Sequence, residues 1–254
     1  MIFVGTSGWQ YDSWKERFYP RDLPKTGWLP YFSARFSTVE VNNTFYRLPS
    51  ADVFARWRTD SAPDFLIAVK ASRYITHLKR LRDPAPSIEM MWTRAQRLED
   101  KLGPVLFQLP PNFRADAGLL RDFLAQLPRT MIPAMEFRDP TWDTDEVYEL
   151  LDRFGVALVA GDRPGWRLPK VETGGWSYIR FHQGSRIGPH YRMSKLRRWA
   201  DYLAASDARI TYVYFNNDPE GAAIKDAYSM IRLLEERGCD VAPAATISAR
   251  RASG

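Results

Sequence analysis

The feature that most constrains this chain is a recurrence. Eight short apolar runs, rich in Val, Ile, Phe and Tyr, alternate with helical patterns from end to end. The runs are IFVGTSGW from Ile2, TVEVNNTF from Thr38, FLIAVKA from Phe65 and GPVLFQLP from Gly103, then MIPAMEFRD from Met131, ALVAGD from Ala157, SYIRFHQG from Ser177 and TYVYFNND from Thr211. Short continuous runs of this kind read as parallel strands covered on both faces. The helical signals between them are equally regular. SIEMMWTRAQRLEDKLG opens on Ser87 as a candidate cap and closes on Gly103, and DAGLLRDFLAQLP sets Leu119, Leu120, Phe123, Leu124 and Leu127 on one face. DTDEVYELLDRFG, MSKLRRWADYLAA and EGAAIKDAYSMIRLLEERG follow, with weaker helices expected near 13–18 or 28–32 and at 50–60. Residues 163–174 read as a long loop where a helix is due.

Eight β/α units in 254 residues match the roughly 250 residues of a (β/α)8 TIM barrel. An α/β doubly wound sheet is the competitor, but GTSGWQY offers only Gly5 and Gly8 and lacks the phosphate-turn spacing. With no repeat, linker or break in composition, one domain is expected, a barrel over residues 1–239. The small, Ala-rich 240–254 is expected to be a disordered tail.

Composition narrows the class further. Apolar residues at 45% and charged residues at 26% are those of an ordinary globular chain. The single cysteine, Cys239, excludes a disulfide framework or a cysteine-rich metal site and reads as inert. No apolar run is long enough to span a bilayer, and MIFVGTSGW shows no basic-then-apolar leader, so a cytoplasmic monomer away from membranes is expected. A net charge of +6 leans weakly toward anionic partners.

In a TIM barrel the C-terminal strand ends build the active site, and here those ends collect the polar residues. In strand order they are Ser7 and Trp9, then Glu40, Asn42, Asn43 and Tyr46, then Lys70, followed by Ser72, Arg73 and His77. Gln108 follows, then Glu136 and Arg138, Asp162, Arg180 and His182, and finally Tyr214, Asn216 and Asp218. Taken singly each has a bland reading: Asp162 and Asp218 cap helices, Asn43 makes a turn, and Arg180 neutralises a glutamate. Their concentration on one rim shifts the balance, because buried polar groups there must satisfy one another or a ligand. Period-two alternation puts Glu40 with Asn42, Glu136 with Arg138, Arg180 with His182 and Tyr214 with Asn216 on shared faces. Val39 and Val41 are expected to pack against the helices.

GTSGWQYDSW, VEVNNTFYRLP, FLIAVKASRYITHLKRL, LGPVLFQLPP, EFRDPTW, YIRFHQG and YVYFNNDPEGAAIKDA, in that order, closely resemble the signature segments of the domain-of-unknown-function 72 family, the YecE-like proteins. The resemblance runs from about Phe3 to Leu234 and implies a TIM barrel without naming a reaction.

The chemistry read from these residues is an enzyme, a hydrolase, lyase or isomerase, acting on an anionic small molecule. Glu40, Glu136, His182 and Lys70 are its candidate catalytic groups. Ser7, Trp9, Asn42, Asn43, Tyr46, Gln108, Arg138, Arg180, Tyr214, Asn216 and Asp218 are the candidate binding groups. Schiff-base chemistry at Lys70 is weighed against its pairing with a glutamate, and the pair is preferred. No cofactor motif is visible. A magnesium or manganese site from Glu40, Glu136, Asp162 and Asp218 is the metal alternative, and three histidines far apart argue against a zinc cluster. Nucleic-acid binding or phosphodiester chemistry is the second reading, carried by RYITHLKRLR and GPHYRMSKLRR. A glycoside hydrolase using Glu40 and Glu136, and a non-catalytic binding protein, complete the set.

Overall fold

The computed structural model describes residues 1–163, 166–167, 171–182 and 188–244. All eight expected strands form. They are β1 (Ile2–Ser7), β2 (Thr38–Val41), β3 (Leu66–Lys70), β4 (Leu102–Gln108), β5 (Pro133–Glu136) and β6 (Ala157–Arg163), then, after a two-residue β7 (Trp166–Arg167), β8 (Ser177–Phe181) and β9 (Thr211–Phe215). Every neighbouring pair among the eight is parallel, and β5 pairs with β6 to close a barrel. β7 folds back antiparallel on the end of β6, inside the stretch expected to be all loop. Of that stretch, 164–165 and 168–170 lie outside the described residues, and Thr173 forms an isolated antiparallel bridge to Trp176.

The helices are α1 (Trp28–Ser33), α2 (Asn43–Tyr46), α3 (Ala51–Asp60), α4 (Ala85–Ala95), α5 (Ala117–Leu124), α6 (Asp145–Arg153), α7 (Met193–Ala204) and α8 (Ala222–Glu235). Local chemistry fixes several starts. Asp116 Oδ1 accepts from Leu119 N at 2.9 Å and caps α5, and the Thr144 hydroxyl does the same for α6. Ser87 is not a cap. α4 begins two residues earlier after Pro84 and carries Pro86 in its first turn, where a missing N–H costs nothing. That helix also stops at Ala95, because Glu99 adopts φ 51° and breaks the continuation to Gly103. Near 13–18 only a 3-10 turn, Asp12–Trp14, forms.

Two cores result from the alternation of the strands. Outward residues such as Val4, Val39, Val41, Val213 and Phe215 pack with Phe32, Phe54 and Trp57 of the helix layer. The inside is filled by Ala68, Leu106, Ala134, Ala157 and Val159 from one half, set against the larger Tyr178, Tyr212 and Tyr214 from the other. Gly5 makes room for this layer. A Cβ there would sit 2.0 Å from the Thr38 carbonyl oxygen, in the register where Thr38 Oγ1 meets the Tyr214 hydroxyl at 2.8 Å.

The segment expected to be a disordered tail begins as part of the fold. Asp240 O accepts from Ile2 N, Ala242 N donates to Ile2 O, and Val241 bridges β1 in parallel. Residues 245–254 of that expected tail lie outside the described residues. Among the described residues no helix is long and apolar enough to cross a membrane.

Candidate functional site

Above the tyrosine layer, the inward-facing positions at the strand ends form one more ring. Ser7, Glu40, Lys70, Gln108, Glu136, Gly161 and Arg180 supply it, and all of them share strand faces with residues of the inner core. The ring is built around one guanidinium. Arg180 is 1% exposed, donates from Nη2 to Glu40 Oε1 at 2.8 Å and makes a close contact from Nη1 to Glu136 Oε2. Glu40 also accepts from Ser7 Oγ at 2.6 Å and from the Tyr178 hydroxyl at 2.7 Å. Glu136 Oε1 accepts from Arg138 Nε at 2.9 Å and lies 3.5 Å from His182 Nε2.

These partners decide the charge states. Burial pushes the Glu40 carboxyl up, but the charge and hydrogen bonds of Arg180, with those of Ser7 and Tyr178, outweigh it and hold it below the usual range. Burial acts the same way on Glu136 and is overcome further, by Arg180, His182 and Arg138, leaving it well below that range. A glycoside hydrolase needs one carboxyl kept protonated, and this pair is held ionised on a shared cation.

Gln108 receives the remaining cations. Its Oε1 accepts from Lys70 Nζ at 3.0 Å, Arg138 Nη2 at 2.9 Å and Arg180 Nη1 at 3.3 Å. Three cationic donors fix which way the amide points, since its NH2 group has nothing to offer them. Lys70 is 9% exposed and rests over the Phe45 ring, 4.3 Å from its centroid. No carboxylate lies within ion-pair distance of it among the described residues, so the expected Lys70–glutamate pair is replaced by an amide contact. Burial, reinforced by the charge of Arg180, lowers the ammonium to about 8, with Glu40 and Glu136 opposing.

His182 and Arg138 stand at the opening, with side chains 11% and 18% exposed. Burial draws the His182 imidazole down although Glu136 pulls it up, and its Nδ1 lies 3.5 Å from Asn216 Nδ2. Asp218 follows the end of β9. It is half-buried, its carboxyl is raised by burial, and its backbone carbonyl accepts from Trp14 Nε1 at 3.3 Å.

Other expected residues stand elsewhere. Tyr214 is fully buried in the layer below, engaged with Thr38, and offers no wall to a ligand. Asp162 sits at the register of Phe181, whose side chain faces the outer core, so the aspartate pairs with Lys195 of α7 instead of entering the barrel. Asn43 is exposed, and Tyr46 is 73% exposed because α2 turns it outward and its neighbour Phe45 inward. Trp9 is 3% exposed and packs edge-on against Trp57 at 5.4 Å. With Asn42, whose Oδ1 is buried without a hydrogen-bond partner among the described residues, Trp9 lines a side cleft of about 160 Å3 between the β1 and β2 loops. Among the described residues, no group of three or more His, Cys, Asp or Glu side chains is arranged to hold a metal. Glu40 and Glu136 are engaged by Arg180, and Asp162 faces away.

Two participants, Tyr178 and Phe45, are absent from the rim residues the sequence picks out, and His77 stands among them without an assigned role. Tyr178 sits two residues before Arg180, so period-two alternation already placed it on the same face. Phe45 gave no such signal. His77 Nδ1 lies 2.9 Å from Thr76 Oγ1 and the ring packs edge-on against Phe45 at 5.0 Å. Burial lowers it, followed by the charges of Lys70 and Arg138. The loop that holds it is irregular. It contains a π-turn, Tyr74–Leu78, then positive φ at Arg80 (48°), Leu81 (66°) and Asp83 (45°), and such strain clusters at functional sites.

A family profile described as "Protein of unknown function DUF72" matches residues 3–250. The UPF0759 protein YunF of Bacillus subtilis is 26% identical over 282 residues, covering 96% of this chain and 98% of YunF. UPF0759 protein YecE of Escherichia coli K12 is 30% identical over 141 residues, 55% of this chain and 49% of YecE. The crystal structure of a DUF72 family protein from Thermotoga maritima superposes with a TM-score of 0.83 at 29% identity, covering 92% of this chain and 99% of that one. One from Enterococcus faecalis gives 0.77 at 18% identity, over 92% and 96%. Ordered motifs, barrel and profile agree, and the chain belongs to the DUF72 family.

Proposed function

We propose that the chain is an enzyme that binds an anionic small molecule, phosphorylated or carboxylated, at the C-terminal mouth of the barrel. The observation that carries this reading is the charge balance around Gln108. Lys70, Arg138 and Arg180 converge on its single neutral oxygen, while the two carboxylates of the ring both pair with Arg180. Three cations against two carboxylates leave one positive charge in excess inside a poorly solvated mouth, where an anion is the favourable counter-charge. Arg138 at the opening and Lys70 of the ring meet the ligand, and Arg180 holds the ring together. Proton transfer falls to the neutral imidazole of His182 and to Lys70, because the two glutamates are held ionised.

Calorimetric titration with inorganic phosphate and with small phosphorylated compounds at low ionic strength tests the reading. Saturable binding that weakens about tenfold in Arg138→Gln is expected, the loss of one charge-assisted hydrogen bond. Absence of binding by the wild-type protein overturns it. Tight binding of single-stranded oligonucleotides that is indifferent to Arg138 transfers the reading to nucleic acid.

A further inference from the structure

We propose that Lys70 Nζ is a nucleophilic amine that forms an imine with the carbonyl carbon of an anionic aldehyde or ketone, the anionic group being held by Arg138. The inference rests on the anion-binding reading and adds the reacting atom and the substrate class.

The geometry is that of an amine prepared for attack. Lys70 ends β3 on its inward face, 9% exposed, with an aromatic ring beneath the nitrogen. Its hydrogen-bond partner is an amide oxygen, and no carboxylate is within ion-pair distance among the described residues. An ammonium in such a place is poorly compensated. Arg180 is the reason it stays so, because it draws both Glu40 and Glu136 to itself across the barrel. The irregular loop after β3 packs His77 edge-on against the same Phe45 ring. Lys70 is consequently neutral in part near pH 8, the form that attacks carbonyl carbon.

The step balances with groups at hand. The Nζ lone pair forms the C–N bond as the carbonyl π pair moves onto oxygen. Protonation of that oxygen and its departure as water, with both amine hydrogens, leaves the imine, and one further proton gives the iminium. The iminium carries the same single positive charge as the ammonium it replaces. Its remaining N–H still has Gln108 Oε1 to donate to, so the ring needs no rearrangement when the adduct forms. Hydrolysis returns the amine.

Reductive trapping tests this. The full-length protein is incubated with glycolaldehyde phosphate or with neutral glycolaldehyde, in sodium cyanoborohydride, and adducts are mapped by peptide mass spectrometry. Lys101, equally buried, and the exposed Lys25 serve as internal controls within the wild-type protein. The expected result is an adduct on Lys70 formed at least tenfold faster than on Lys25, with none on Lys101 and a rate that rises through pH 8. Arg138→Gln is expected to abolish the preference for glycolaldehyde phosphate over glycolaldehyde. Labelling of Lys70 no faster than of Lys25 overturns the proposal. Phosphate binding together with an unlabelled Lys70 overturns the imine and keeps the anion site. Fast labelling of Lys70 by both aldehydes alike, without phosphate binding, removes the anion site and with it the substrate class.

Discussion

Two lysines of this barrel are buried to the same degree, 9% exposed each, and have opposite surroundings. Lys101 Nζ lies 2.8 to 3.0 Å from four oxygens, the carbonyls of Arg58, Ser61 and Ala62 and the Ser61 hydroxyl, which share its three N–H donors. It terminates α3 by filling carbonyls that the helix end leaves open, where a cation also suits the helix dipole. Lys70 has one amide oxygen and an aromatic ring. Both lie in one chain under the same selection for stability, yet one ammonium is saturated and the other is left short of acceptors in a crowd of cations. Burial alone therefore does not mark a functional lysine; the deficit of partners at equal burial does.

The largest expected effect comes from the residue that creates this deficit. Arg180→Gln leaves buried Glu40 without its cation and buried Glu136 with Arg138 alone, and a loss of about 4 kcal/mol is expected in urea titrations at pH 7.5. In the wild type the two carboxyls titrate below their unfolded value of about 4.5. Their contribution is therefore complete above that pH and lost as pH falls through the folded values. In the variant the folded values rise above the unfolded one, so the deficit shrinks as pH falls toward 5. A deficit that is the same at both pH values would show that Arg180 does not compensate these carboxylates.

Lys101→Met comes next. It deprives three backbone carbonyls at the end of α3 of their donor, and a loss of about 3 kcal/mol is expected from the thermal midpoint and urea titration. A neutral outcome would make the four-oxygen cradle incidental and would dissolve the contrast with Lys70.

Much of this arrangement was legible in the sequence, and the gaps have physical causes. Val39 and Val41 alternate with Thr38 and Glu40, so the two faces of β2 were readable, and the structure places the valines in the helix-facing core. β6 could not be phased in the same way. ALVAG is apolar on both faces, and the structure turns Gly161 inward and Asp162 out to Lys195. The run after Val41 read as strand, but Asn43–Tyr46 is a helical turn, which exchanges which of Phe45 and Tyr46 enters the mouth. His77 sits in a loop held by left-handed backbone at Arg80, Leu81 and Asp83, and no periodicity reports on such a segment. The lysine was visible, but its lack of a carboxylate was not, because that depends on Arg180 reaching across the barrel to Glu40, 140 positions away from it in the chain.

Lys70→Met moves stability in the opposite direction to Lys101→Met. Lowering the ammonium to about 8 means that the folded protein holds this charge at a cost, and methionine fills much of the same volume without it. A gain of about 2 kcal/mol at pH 7 is expected. The sign of the pH dependence follows. The folded value lies below the unfolded one, so the cost is absent above the unfolded value and grows as pH falls from about 10 to 8, where it levels off. The stabilisation by methionine should therefore be larger at pH 7.5 than at pH 9.5. A destabilised Lys70→Met would place Lys70 with Lys101 among structural lysines.

The smallest change in stability and the sharpest change in reactivity are expected from Gln108→Glu. The substitution keeps the shape of the side chain and puts a negative charge where Lys70, Arg138 and Arg180 already point. The excess positive charge of the ring disappears, so folding stability should move by no more than about 1 kcal/mol. Lys70 acquires the carboxylate that Arg180 otherwise withholds, and its ammonium rises by about one to two pH units. At pH 7.5 the neutral fraction then falls, and cyanoborohydride trapping at Lys70 should slow by about tenfold while labelling of Lys25 is unchanged. Phosphate binding should weaken in parallel, since the same substitution supplies internally the counter-charge a ligand would bring. If trapping slows and phosphate binding does not, Lys70 and the anion site are independent; if neither changes, the charge balance around Gln108 does not govern what the mouth binds.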